Sequence, residues 1–168
     1  KAVKNAQGTY LTFALLDDRK KKDSLEILLK AIQSEKDITL AYGDCICTKN
    51  KNESFEDTNS KKILENSFSE FSKANMIKCQ HGKMHLWKKS IHKKVGFFNS
   101  NDYDFVSDWD MWLRMVDSEC KFKKISQIVG LYFEGGRTQG FKLNLEQRKE
   151  EAKLFFKYVH LFGRHNHK

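Results

Sequence analysis

The stretch Gly8-Thr9-Tyr10-Leu11-Thr12-Phe13-Ala14-Leu15-Leu16-Asp17-Asp18-Arg19 decides the reading of the fold. From Thr9 to Leu16 the residues are apolar or β-branched and of strand length, so they read as a buried strand that stops at the acid pair. A cationic loop, Arg19-Lys20-Lys21-Lys22, follows. Asp23 or Ser24 then caps a helix in which Leu25, Leu28, Leu29 and Ile32 recur at i, i+3, i+4 and i+7, ending near Ser34. Ile38-Thr39-Leu40-Ala41-Tyr42 is a second strand, which Cys45-Ile46-Cys47-Thr48 continues or pairs with after Gly43-Asp44. Strand, helix, strand is the order of a βαβ unit and places the chain in the α/β class.

Further along the chain the elements are less regular. Lys49 to Ser67 is polar and reads as a long surface excursion. Phe68 to Met76 is expected as a short helix, Met84 to Trp87 as a short strand, and Ser90 to Val95 as a helical turn closed by Gly96. The most regular helix follows a Ser107 cap: Trp109, Trp112, Leu113 and Val116 share one face, while Asp110 and Arg114 can pair at i, i+4. Phe122 to Leu131 reads as another strand, Glu134 to Gly140 as a glycine-rich loop, and 143–162 as a C-terminal helix carrying Leu154, Phe155, Tyr158 and Leu161. Residues 1–7 look like the end of a polar helix. No internal repeat or second domain is visible in 1–168.

Composition bounds what this chain can be. At 39% hydrophobic and 12% aromatic residues over 168 positions, it has too many core formers for a disordered segment despite 32% charge. The balance of 31 basic against 22 acidic residues is +9. The lysines are spread over 20–22, 61–62, 88–89, 93–94 and 121–124, and no nucleic-acid motif appears, so a solvated surface is the plainer reading than a nucleic-acid binder. No apolar run approaches the roughly 20 residues that span a bilayer. Cys45, Cys47, Cys79 and Cys120 do not suggest a disulfide scaffold, which points to a reducing, cytoplasmic setting. The absence of proline excludes proline-rich linkers and cis-proline turns. Cys45-x-Cys47 with Cys79-x-His81 offers four soft zinc ligands, but the spacing is not a standard knuckle. Strand alternation puts Cys45 and Cys47 on one sheet face, where they serve as small hydrophobes.

Two acidic sites carry the chemistry. Asp17-Asp18 follows a strand, and ligands of α/β folds bind at the carboxyl ends of strands, so the pair is placed to hold a hard divalent cation and, through it, a phosphate. The plain alternative is a solvated turn neutralised by the basic residues after it. Asp108, in Ser107-Asp108-Trp109-Asp110, opens a helix whose dipole favours the ionised carboxylate that a general base requires; a first-turn acid with no further role is its alternative.

Taken in order, Gly8-Thr9-Tyr10-Leu11-Thr12-Phe13, Asp17-Asp18-Arg19, Ser24-Leu25-Glu26, Tyr42-Gly43-Asp44, Leu86-Trp87-Lys88-Lys89-Ser90, Val95-Gly96-Phe97-Phe98, Ser107 to Arg114 and Gly130-Leu131-Tyr132 resemble family 2 glycosyltransferases of the GT-A fold, from mid-domain to the C-terminal end. The resemblance implies a partial GT-A fold, a mixed sheet flanked by helices, without the nucleotide-binding βαβ region with which the family begins. It also implies an inverting transferase that moves a sugar from a nucleotide-diphosphate donor to a glycan, polysaccharide or lipid-linked acceptor, as in cell-envelope biosynthesis. Asp17, Asp18 and Arg19 match the donor diphosphate site. Asp18 is the expected ligand of Mn2+ or Mg2+, with Asp17 toward the nucleotide sugar or sharing the metal. Asp108 matches the family's base, and His81, Trp87, Trp109 and Asp110 are acceptor-side candidates. The lysine-rich surface suits contact with an anionic membrane face. A non-catalytic relative acting as a binding module, and a nucleic-acid binder, are the opposing readings.

Overall fold

A computed structural model describes residues 1–63, 71–78, 84–135 and 145–162. A four-residue helical turn, α1 (Ala2–Asn5), leads to the short edge strand β1 (Tyr10–Leu11), and β2 (Arg19–Lys20) precedes helix α2 (Ser24–Gln33). The long strand β3 (Ile38–Thr48), β4 (His85–Lys88), α3 (His92–Val95), α4 (Ser107–Asp117), β5 (Lys121–Phe133), α5 (Leu145–Lys157) and α6 (Val159–Phe162) follow. The five strands form one mixed sheet in the order β1-β4-β3-β5-β2, with β3 and β5 parallel and the other neighbours antiparallel. This is a mixed α/β architecture flanked by helices.

The centre of the sheet follows its sequence pattern. β3 continues without a break through Gly43-Asp44 and is buried along most of its length; Cys45 and Cys47 face inward while Asp44 and Ile46 are half-exposed. α2 packs Leu28, Ala31 and Ile32 inward, and α4 buries Trp109, Trp112, Leu113 and Val116. Asp110 and Arg114 form the i, i+4 pair at 2.8 Å. Gly96 ends α3 at a φ of 78°, a left-handed conformation that a side chain would strain.

Several expectations need correction. The run Thr9 to Leu16 is not a long buried strand: only Tyr10 and Leu11 pair, with Lys88 and Trp87. Beyond them the Thr12 hydroxyl, rather than a main-chain N–H, donates to the His85 carbonyl at 2.7 Å, and the ladder ends. Leu15 is 40% and Leu16 93% exposed. The cationic segment after Asp18 is not wholly loop, because Arg19 and Lys20 pair with Leu131 and Gly130. The helix at Phe68 to Met76 is instead a 3-10 turn over Ala74–Lys78, with residues 68–70 outside the described residues. The C-terminal helix divides at Tyr158, whose carbonyl accepts from Leu161 N–H in a tight turn. Cys79, His81, residues 136–144 and 163–168, and with them part of the zinc reading and most of the glycine-rich loop, lie outside the described residues.

Candidate functional site

Asp18 is held at the carboxyl end of the central parallel strands. β2 runs antiparallel to the last residues of β5, and the Lys21 N–H extends the ladder to the Val129 carbonyl at 3.0 Å. One residue ahead of β2, Asp18 Oδ1 accepts the Phe133 N–H at 3.1 Å. The pairing depends on Gly130, since a Cβ there would lie 2.7 Å from the Met84 thioether and 2.8 Å from the Arg19 carbonyl. Asp17 is exposed.

A cleft of about 310 Å3 opens beside this turn, between the 12–15 segment, β2, Leu25 and Met84, and Asp18, Arg19 and Lys20 line its polar side. Arg19 folds back on its own turn, its guanidinium donating to the Leu16 and Asp18 carbonyls at 2.8 and 2.9 Å. Lys20 is different. Its ammonium meets Met84 Sδ at 3.6 Å, and among the described residues no carboxylate lies within ion-pair distance of it. Burial lowers its pKa below the usual lysine range, while Asp18 and then Cys45 pull it back up. Lys20 is therefore a partly desolvated cation facing the cleft beside a carboxylate, which is an environment suited to a bound anion. By sequence alone Lys20 belongs with the lysines spread over the surface. The signal that could have found it is its place two residues after Asp17-Asp18 in a segment short enough to pair with a strand.

Asp108 sits in the first turn of α4, half-buried, with Oδ1 accepting the Trp109 N–H at 2.7 Å. It lies one turn from Trp112 on the same helix face. Trp112 packs edge-on against His85 and Trp87, with ring centroids 4.8 and 5.4 Å apart, and against Phe13 at 6.3 Å. Phe13 also lines the cleft. The aromatic cluster thus joins α4 to the wall of the cleft that holds Asp18.

The other acceptor-side candidates have structural partners. Trp87 is 1% exposed and donates its indole N–H to His92 Nε2 at 3.1 Å; Trp109 donates to the Met76 carbonyl at 2.7 Å. Asp110 is 1% exposed and engaged by Arg114, by Lys157 at 3.1 Å and by the Tyr158 hydroxyl at 3.4 Å. His81 is outside the described residues. His92 is buried, and its Nδ1 pairs with the Gly96 carbonyl at 2.8 Å, so with Trp87 as donor the ring is neutral and protonated on Nδ1. Burial pushes its pKa down; the Gly96 contact opposes this, and Arg114 and Lys89 add to it. Cys45 and Cys47 are raised by burial to about 12 and about 11, and remain protonated thiols at neutral pH.

No group of three or more His, Cys, Asp or Glu side chains able to hold a metal occurs among the described residues. A cation at Asp18 and the exposed Asp17 would find two adjacent carboxylates and would need its remaining ligands from water or a bound ligand. A larger depression of about 640 Å3, bounded by Val3, Lys4, Thr9, Lys89, Ser90, His92, Lys93 and Phe97, has no carboxylate among the described residues of its lining.

No protein-family model matches the chain, and no curated protein matches it. Among solved structures, it is similar to residues 1–349 of S. aureus TarS, a glycosyltransferase, with a TM-score of 0.58 at 13% identity over 94% of this chain. A second TarS structure gives 0.57 at 11% identity over the same share. The chain spans 42% of the first and 29% of the second. At these identities the similarity is one of fold: a glycosyltransferase-like architecture.

Proposed function

We propose that the chain is the catalytic and acceptor-side part of an inverting glycosyltransferase that moves a sugar from a nucleotide-diphosphate donor to an acceptor hydroxyl. The observation that carries this reading is the cleft at the carboxyl ends of β3 and β5, where Asp18 and Lys20 stand together, tied through the aromatic cluster to the helix whose first turn carries Asp108. The donor diphosphate lies on the Asp18 side, with its charge facing the Lys20 ammonium. Asp18 and Asp17 would hold Mn2+ or Mg2+, which when bound offsets the charge that grows on the leaving diphosphate. On the other side Asp108 takes the proton of the acceptor hydroxyl as its oxygen attacks the anomeric carbon. The new carbon–oxygen bond forms on the face opposite the breaking bond to phosphate, whose electron pair leaves with the nucleoside diphosphate, and Asp108 then returns the proton to solvent.

The acceptor class is a glycan or a lipid-linked glycan. No helix among the described residues is long and apolar enough to cross a membrane. The +9 charge supports peripheral contact with an anionic membrane face, where a lipid-linked acceptor is presented, on its cytoplasmic side. The test is turnover of UDP- and GDP-sugars with Mn2+ by the full-length protein and by Asp108→Asn. The expected result is loss of about 100-fold or more in kcat, the scale of a general base. Equal turnover removes Asp108 from the mechanism. The exposure of Asp17 favours a second reading, a module that binds sugar nucleotides without transfer, which predicts binding and no turnover in the unaltered protein.

A further inference from the structure

The N-terminus of α4 has no cap of its own. The residue ahead of the helix is Val106, whose side chain cannot accept a hydrogen bond. The segment that leads into the helix is instead held from α5, where Glu150 takes the main-chain N–H groups of Asp104, Phe105 and Val106 at 3.0, 2.9 and 3.3 Å, the first on Oε1 and the other two on Oε2. Two further residues of α5 reach the same segment. The Lys153 ammonium stands 5.0 Å from the centroid of the buried Tyr103 ring, and Lys157 reaches Asp110 Oδ1 at 3.1 Å. Residues 150, 153 and 157 follow i, i+3, i+7 spacing, so one face of α5 grips the chain from 103 to 110. Asp108 lies inside that grip, between the N–H groups held by Glu150 and the carboxylate held by Lys157. A carboxylate taking three successive N–H groups makes charge-assisted bonds and adds negative charge at the positive end of α4.

We propose that Glu150 is a positioning residue: it fixes the entry of α4 and thereby the place of the Asp108 carboxylate relative to the cleft. This rests on the reading of Asp108 as the base. A change in the path of residues 104–106 moves Asp108 without touching the donor side of the cleft. The effect therefore falls on turnover rather than on donor binding.

The experiment compares the full-length protein with Glu150→Ala, Glu150→Gln and, as a control on the solvent side of α5, Lys149→Ala. Amide hydrogen exchange is read at residues 104–110, and kcat and KM with UDP- and GDP-sugars and Mn2+. In Glu150→Ala, exchange at 104–106 is expected to quicken about 10-fold or more, the loss of one or more charge-assisted hydrogen bonds. kcat is expected to fall about 10- to 100-fold, the scale of a misplaced catalytic group, with the donor KM within about 2-fold. Glu150→Gln, which keeps an acceptor oxygen, recovers most of kcat, and Lys149→Ala changes neither reading. A purely structural role predicts a lower melting temperature with normal kcat well below it, and that result overturns the proposal. So does unchanged exchange at 104–106 in Glu150→Ala, or, if the alanine variant does not fold, in Glu150→Met, which keeps the bulk of the side chain and removes the acceptors. If the unaltered protein turns over no sugar nucleotide, the transferase reading fails separately. The proposal then stands or falls on whether Glu150→Ala or Glu150→Met speeds exchange through Asp108 to Asp110 as well as 104–106.

Discussion

The aromatic wall, which reaches the cleft through Phe13, and the acidic turn that lines it are built in opposite ways. On the wall, His85, Trp87 and Trp112 are buried against one another at centroid distances of 4.8 to 5.4 Å, each from a different part of the chain or an alternate position of β4. In the turn, Leu16 is 93% exposed, Asp17 is exposed, and order comes from a few polar ties: Asp18 to Phe133 N–H, and Arg19 to two carbonyls of its own loop. A packed wall resists displacement because every shift opens a void. A hydrogen-bonded turn can change its side chains at little cost. Under the proposed function, the contrast suits a site in which the helix that carries Asp108 holds a fixed place while the turn that carries Asp18 adapts to its ligand.

The comparison can be broken at several points. The largest expected effect is on the wall: Trp112→Ala removes the ring shared by Phe13, His85, Trp87 and Phe98 and should cost about 3–5 kcal/mol in chemical denaturation. A loss below about 1 kcal/mol would show that the cluster is not the anchor of α4. A smaller effect is expected on acidification. His92 has a folded pKa below its ordinary value of 6.5, so the native chain binds fewer protons than the unfolded one between the two values. Stability is then fully present above about pH 6.5 and declines as pH falls through that window. Denaturation midpoints measured from pH 7.5 down to 5 check this, and His92→Gln should remove the His92 share of the slope. The smallest effect belongs to the turn. Leu16→Ala should change stability by no more than about 0.5 kcal/mol, and a larger loss would mean that the turn is packed against something.

What the sequence made legible follows the range of the forces involved. α2, β3 and α4 could be read because their burial is written in local periodicity, and the Asp110–Arg114 pair because it needs only helix spacing. β2 could not: Arg19 and Lys20 become a strand only by pairing with residues 130 and 131, more than a hundred positions away. The extent of β1 was misread for a related reason, since an apolar run says nothing of where its partner strand stops. The roles of Trp87 and Asp110 depend on His92, Lys157 and Tyr158, and Glu150 serves a helix end 44 positions before it. Spacing along the chain holds none of this. The order of the motifs carried the glycosyltransferase-like fold, which the similarity to TarS supports.

The most direct measurement is an amide and methyl chemical-shift map of the full-length protein titrated with UDP and Mg2+. The account predicts that the shifts within this chain gather at the cleft, at Thr12, Leu15, Asp18, Lys20, Leu25 and Met84. Shifts confined to the larger depression around Val3, Lys4, Ser90 and Phe97, or none at saturating nucleotide, would contradict it.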